Sequence, residues 1–190
     1  MDYYFFQLVN RYAGHAPALD AVARLLVNDY LLPTAIALIA AGLGFAGHTP
    51  AERRPGQRAA LQAGVSLLLT NVLVKLCNLF YFRPRPFAAH EVNLLFYHPS
   101  DSSLPSNPAA VGFALAVAVW LNHRRTGAAM LALASLWSLA RVYCGVHYPL
   151  DIVAGAAVGA LAAYLAVRRA PVLNPVYDRL IDLAERLFLT

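Results

Sequence analysis

Arg141-Val-Tyr-Cys-Gly-Val-His147-Tyr-Pro-Leu-Asp151 sets an arginine, a histidine and a carboxylate inside one of the most apolar parts of the chain. An ionisable group near a bilayer centre costs about 2.5–3.5 kcal/mol on insertion scales, so three within one short run mark a polar site at a membrane face. Composition points the same way. The 190 residues are 59% hydrophobic and only 13% charged, with a mean hydropathy of +0.53, too few polar groups to cover a soluble surface. A chain of this length holds about five helical spans of about 20 residues each, with short loops and no second globular domain. The expectation is an all-α, polytopic membrane helix bundle. It forms one domain over residues 1–190, with a motif-bearing core at 58–168 and amphipathic helices at both ends.

Working outward from that run defines the spans. Leu150 to Val167 is the fifth and Ala128 to Gly145 the fourth, joined to a third, Pro108 to Asn122, by a tight basic loop from His123 to Gly127. The second covers Arg58 to Phe82 and is ended by Arg83-Pro-Arg-Pro86, because proline disfavours helix in the residue before it. The first is the apolar run from Leu31 to Phe45, extended backwards through a tilt or kink at Pro33. Residues 47–56 read as a loop and 83–104 as the main polar excursion. The aromatic stretch from Asp2 to Tyr12 is short and reads as a helix lying at the interface. Met1-Asp2-Tyr3-Tyr4 lacks the basic start of a signal peptide, so the amino terminus is expected to stay on.

Arg53, Arg54, Arg58, Arg124, Arg125, Arg168 and Arg169 fall on one side of this layout, which is therefore expected to be the cytoplasmic side of a cell membrane. Arg83, Arg85, the Ser102 to Asn107 segment and His147 fall at the opposite, extracytoplasmic helix ends, where three distant parts of the chain can converge. These arginines account for the net charge of +5, so no nucleic-acid partner is needed. Beyond Pro171, apolar Leu173, Val176, Tyr177, Leu180, Ile181, Ala184, Leu187 and Phe188 recur at helical spacing opposite Asp178, Arg179, Asp182, Glu185 and Arg186. That amphipathic helix, over 172–189, either docks at the interface or mediates a subunit contact, which leaves a homo-oligomer open. Gly155-Ala-Ala-Val-Gly159 has the small-residue spacing that lets helix backbones approach closely in lipid. Cys77 and Cys144 read as small core residues without metal-type spacing, and no metal or other cofactor is expected.

The chemistry resides in a few side chains. Arg83, Arg85 and Arg141 offer planar, permanently charged forks suited to phosphate oxygens, and Lys75 is the chain's only lysine. Arg141 lies within a span and demands a partner or a water-filled cavity. His147 and Asp151 are one helical turn apart, so the carboxylate can bind one ring nitrogen and leave the other free as nucleophile or base. Asp151 can equally serve the acid-favouring first turn of the fifth span. Asn107 at the cap with Pro108 at the first helical position is a helix start, yet such a start also presents N–H groups, here those of Ala109 and Ala110, to a phosphate.

With these residues in view, the chain resembles the type 2 phosphatidic acid phosphatase family, whose pattern is K-x(6)-R-P, then P-S-G-H, then S-R-x(5)-H-x(3)-D. Arg141, His147 and Asp151 match the third motif with Ala140 in place of its serine, and the resemblance extends from Leu73 to Gly159 through the Arg83 to Phe87 run and Pro105-Ser106. It implies His147 as a nucleophile forming a phosphohistidine, Asp151 as its orienting partner, and Arg85, Arg141 and Ser106 as phosphate ligands, with Arg83, Lys75 and Asn107 at the same anion site. Two departures stand out. Pro108 occupies the position of the family histidine that protonates the leaving group, and Lys75 lies nearly one turn before its expected position.

A general acid commonly contributes about 10²–10⁴ in rate, so its loss needs an account. His98 or His90 in the extracytoplasmic segment can supply the proton. Alternatively, a leaving group that departs unaided makes the acid dispensable, which favours an isoprenoid diphosphate such as undecaprenyl diphosphate over a phospholipid. The remaining alternative is a catalytically impaired protein that binds or transports a lipid phosphate. The sequence-level reading is a metal-independent membrane lipid phosphatase or diphosphatase, its partners being the bilayer and a lipid phosphate.

Overall fold

Prolines mark the helix starts. In the computed structural model, which describes residues 1–188, a proline stands at the first or second position of α2 (Pro17–Leu26), α4 (Pro50–Phe80), α5 (Pro86–Ala89), α6 (Asn107–Asn122) and α8 (Pro149–Tyr164). There its missing N–H costs nothing and its fixed φ suits the helix. The other helices are α1 (Asp2–Asn10), α3 (Leu31–Gly42), α7 (Arg124–Tyr143) and α9 (Asn174–Phe188). No strand occurs among the described residues, and the protein is an all-helical membrane protein.

Each expected span contains a helix, but several boundaries differ for local reasons. The loop expected at 47–56 is shorter, because Thr49 Oγ1 accepts the Glu52 N–H (3.3 Å) and the Glu52 carboxylate accepts the His48 N–H (2.8 Å), starting α4 at Pro50. The basic loop expected at 123–127 shrinks to His123, with Arg124 already helical. The first span breaks before Pro33 and not at it. The Asn28 side chain accepts the N–H groups of Tyr30 (2.8 Å) and Leu31 (3.1 Å), which competes with helix continuation, and α2 meets α3 at a 48° bend.

By length and composition, Pro50–Phe80 and Pro149–Arg169 can each cross a membrane, and the bent pair Pro17–Leu26 with Leu31–Phe45 makes a third. α6 is apolar but only 16 residues long. It forms the centre of the bundle, flanked by α4, α7 and α8. Its small residues Ala116 and Ala118 pack with Ile36, Ala63, Met130, Ala134 and Ala163 in the main core. Gly155 and Gly159 of α8 meet the start of α6 so closely that an added Cβ would fall 2.3 Å from the Ser106 carbonyl oxygen and 2.2 Å from that of Ala110.

The alternating helix directions divide the bundle into two ends. Arg53, Arg54, Arg58, Arg124, Arg125, Arg168 and Arg169 stand at helix ends on one side, where α9 packs against α4. Arg54 pairs with Asp182 (2.5 Å) and Glu185 (2.8 Å), and Arg58 pairs with Asp178. Tyr177 and Ile181 of α9 are buried, whereas Val176, Leu180 and Leu183 are exposed. The expected last residue of this helix, Leu189, and the side chains at 187 and 188 lie outside what is described. At the opposite end converge the finishing turns of α4 and α7 and the first turns of α6 and α8.

The α6–α8 contact yields a stability test. Gly159→Val should cost about 1–3 kcal/mol through overpacking, read as a fall of several degrees in the Tm of the detergent-solubilised protein. Gly64→Ala, where an added Cβ meets nothing within 4 Å, should be neutral or stabilising by up to about 1 kcal/mol.

Candidate active site

The turn between α7 and α8 is held by its own backbone. Gly145, at φ +86°, ends α7; its N–H bonds the Val142 carbonyl (3.1 Å) and the Val146 N–H bonds the Arg141 carbonyl (3.0 Å). This is the Schellman pattern, which glycine favours because it lacks the Cβ penalty of a left-handed residue. Four residues after Gly145, Pro149 opens α8, and Asp151 reaches back to accept the Tyr148 N–H (2.8 Å). His147 is thus pinned between a helix stop and a helix start.

Its tautomer follows from its neighbours. Nδ1 lies 3.0 Å from the Ser103 carbonyl oxygen, which can only accept, so Nδ1 carries the proton. Nε2 lies 3.1 Å from Nη1 of Arg85, which can only donate, so Nε2 carries the lone pair. Both constraints describe one neutral imidazole. His147 is 1% exposed, and burial pushes its pKa below the ordinary value of 6.5; Asp151 acts in the opposite sense, and Arg85 reinforces burial. Arg85 is itself fixed by the Val146 carbonyl (3.0 Å), the Asp101 carbonyl (3.1 Å) and the Asp101 carboxylate (2.8 Å). A buried cation therefore faces an unprotonated, buried nitrogen.

Asp151 is fully buried. Oδ2 accepts the Ser103 hydroxyl (2.5 Å) and the Tyr148 N–H and lies 3.7 Å from His147 Nδ1; Oδ1 pairs with Arg83 (2.6 Å). The carboxylate stands beside the imidazole, whose direct hydrogen bond goes to the Ser103 carbonyl. Arg83 faces Asp151 and, through its other terminal nitrogen, Asp2 (2.7 Å).

The remaining residues singled out in the sequence are spread more widely. Ser106 is buried and caps α6, its Oγ accepting the Ala109 N–H (3.5 Å). The cap is thus Ser106, and Asn107 and Pro108 are the first two helical residues. The Ala109 and Ala110 N–H groups, expected to face an anion, bond to Ser106. Arg141 is 2% exposed, pairs with Asp29, lies over the Phe96 ring and leaves Nε without a partner. Lys75 is exposed on α4. His90 stacks on Tyr3, with ring centroids 3.8 Å apart, and His98 packs edge-on against Phe87 (4.9 Å); both are exposed.

Sequence reasoning missed Ser103, Asp101, Asp29 and Asp2. Ser103 had a signal, since it stands in the polar segment already selected, three residues before the α6 cap. Asp2 and Asp29 had none, because their partners are far away in the chain. Among the described residues, no group of three or more His, Cys, Asp or Glu is arranged to hold a metal ion.

The profile of the PAP2 superfamily matches residues 59–174, the stretch that carries Arg83, Arg85, Ser103, Arg141, His147 and Asp151. The chain belongs to the PAP2 superfamily. It is 28% identical over 187 residues to the undecaprenyl-diphosphatase BcrC of Bacillus subtilis (strain 168), covering 98% of this chain and 93% of that protein. It is 33% identical over 121 residues to the bacitracin transport permease protein BcrC of Bacillus licheniformis, covering 63% of this chain and 60% of that one. Among solved structures, Aquifex aeolicus LpxE superposes with a TM-score of 0.66 at 28% identity, covering 86% of this chain and 93% of its own.

The His147 assignment is open to direct measurement. In detergent-solubilised protein labelled with ¹⁵N-histidine, NMR should show His147 as the neutral Nδ1–H tautomer at pH 6.5. Protonation should come only at lower pH, because its folded pKa is depressed from 6.5. Stability linked to this group is present above that unfolded value and is lost as pH falls through the lower folded one. An imidazolium at pH 6.5 would contradict the assignment.

Proposed function

We propose that the protein is a lipid phosphatase that preferentially removes the terminal phosphate of a polyprenyl diphosphate, such as undecaprenyl diphosphate, at the extracytoplasmic face of the cell membrane. The observation that carries this reading is the neutral His147, with its unprotonated Nε2 facing Arg85. The arginine-rich end of the bundle supports the orientation, since such residues concentrate in cytoplasmic segments.

In this reading a terminal phosphate binds against Arg85, and Arg141 exchanges Asp29 for the phosphate oxygens. His147 Nε2 attacks phosphorus as the bond to the bridging oxygen breaks, and the polyprenyl phosphate leaves with that bonding pair. The imidazole becomes positively charged as it bonds to phosphorus, and Asp151 beside Nδ1 stabilises that charge. Water then attacks the phosphohistidine, releasing inorganic phosphate and restoring neutral His147. Arg85 and Arg141 stabilise the equatorial oxygens in both steps.

Pro108 argues for the diphosphate. Its ring has no proton to give at the position where the family pattern has an acid, so the leaving group must carry its own charge. A phosphate monoester has a second pKa of about 6, whereas an alcohol lies nearer that of bulk water, about 15.7. The relative named undecaprenyl-diphosphatase supports the same substrate class. Pro108 also favours a second reading, in which the protein binds or transports a lipid phosphate without turnover, and the relative named a transport permease is in keeping with it.

Purified protein should release phosphate from undecaprenyl diphosphate faster than from phosphatidic acid, and His147→Ala should abolish both activities while sparing the fold. Release that persists in His147→Ala removes His147 as nucleophile. No release from either lipid by protein that still binds them favours the binding or transport reading. In a second test, Pro108→His should raise the rate on phosphatidic acid more than on the diphosphate. Equal enhancement would refute the leaving-group account.

A further inference from the structure

α1 is held by polar contacts at both of its ends, and at one of them to the site. At its far end Asn10 donates to the carbonyls of Asn93 and Tyr143 (2.8 Å each) and accepts the Asn93 N–H (3.0 Å). At its beginning, Asp2 Oδ2 pairs with Arg83 Nη2 (2.7 Å), and Asp2 Oδ1 accepts the Leu150 N–H (3.0 Å), an otherwise orphaned donor in the first turn of α8. Between them Phe6, 1% exposed, packs with Val142 and Tyr148. A short helix lying passively at the interface has no need of polar contacts at both ends.

Arg83 is the link. Its two terminal nitrogens are engaged by two carboxylates, Asp2 and the fully buried Asp151, and its guanidinium lies 4.1 Å over the Tyr148 ring. A fork held on three sides is poorly placed to bind an incoming phosphate. Asp151 in turn holds the Ser103 hydroxyl, and the Ser103 carbonyl sets the His147 tautomer. The contacts form one series: Asp2, Arg83, Asp151, Ser103, His147.

We propose that Asp2 is a positioning residue of the reaction, acting through Arg83 to hold Asp151 and the His147 imidazole in attacking geometry, and that Arg83 belongs to this support and not to the phosphate ligands. The proposal rests on His147 being the nucleophile. Without Asp2, Arg83 is free to turn toward solvent or an anionic substrate, Asp151 loses a fixed counter-charge, and α8 loses a cap beside the nucleophile. The loss falls on the chemical step, because neither Asp2 nor Arg83 contacts the phosphate.

The experiment is a mutant cycle on full-length protein in detergent with undecaprenyl diphosphate, each rate normalised to folded protein by size exclusion and Tm. Wild type and His147→Ala are measured first, so that failure of the catalytic reading appears as absence of His147-dependent release. With that release established, Asp2→Asn should lower kcat about tenfold with little change in KM, as expected for small misplacements of catalytic groups, and Asp2→Glu should recover part of the loss. In an Arg83→Gln background the same Asp2→Asn change should have almost no further effect on kcat, since the link is already gone. An equal loss in both backgrounds would make Asp2 a merely structural residue. An unchanged kcat in Asp2→Asn, or a loss confined to KM, would also overturn the proposal.

Discussion

A carboxylate with no solvent exposure, Asp151, is the constraint around which this molecule is organised. Removing one partner of a buried charge typically costs about 3–5 kcal/mol, because the remaining charge is left uncompensated. Asp151 therefore requires its whole environment: the Ser103 hydroxyl, the Tyr148 N–H and the Arg83 guanidinium. Each comes from a different part of the chain. Satisfying one side chain thus brings together the segment after α4, the polar stretch before α6 and the first turn of α8, which are the parts that surround His147.

The other buried charges obey the same rule. Arg85 is paired with Asp101, and Arg141 with Asp29. These two acidic partners are less buried than the arginines they meet, with side-chain exposures of 58% for Asp101 and 34% for Asp29. Acids so placed can move aside for a substrate anion at little cost to the core, whereas Asp151 cannot. The site thus contains two kinds of ion pair, two whose acid is partly exposed and one whose acid is fully buried. This division is consistent with arginines that receive phosphate and a carboxylate that supports the imidazole.

Packing serves the same end. α6 lies at the centre of the bundle and must deliver Ser106 to within hydrogen-bonding distance of α8, whose Asp151 carbonyl accepts the Ser106 N–H at 2.9 Å. That approach requires Gly155 and Gly159, since any Cβ there would collide with α6 backbone. At the other end, α9 closes over Arg54 and Arg58 with surface ion pairs, which are individually weak and screened by salt. The two ends are accordingly held by different physics, buried networks at the site and solvated pairs under α9.

Much of this was legible in the chain. Apolar content and the cost of charge in lipid determined a membrane helix bundle, prolines and Gly145 marked where helices begin and end, and Arg141, His147 and Asp151 nominated the candidate site. Such features are local: a proline, a glycine or a period acts on its own neighbourhood. What the tertiary structure decided was which charges meet. Asp2 lies 81 residues from Arg83 and Asp29 lies 112 from Arg141, and no periodicity relates positions so far apart. The sequence could nominate Arg83 as an anion ligand because arginine suits phosphate. Only the fold, by bringing α1 against α8, surrounds it with two carboxylates and makes it part of the support for Asp151.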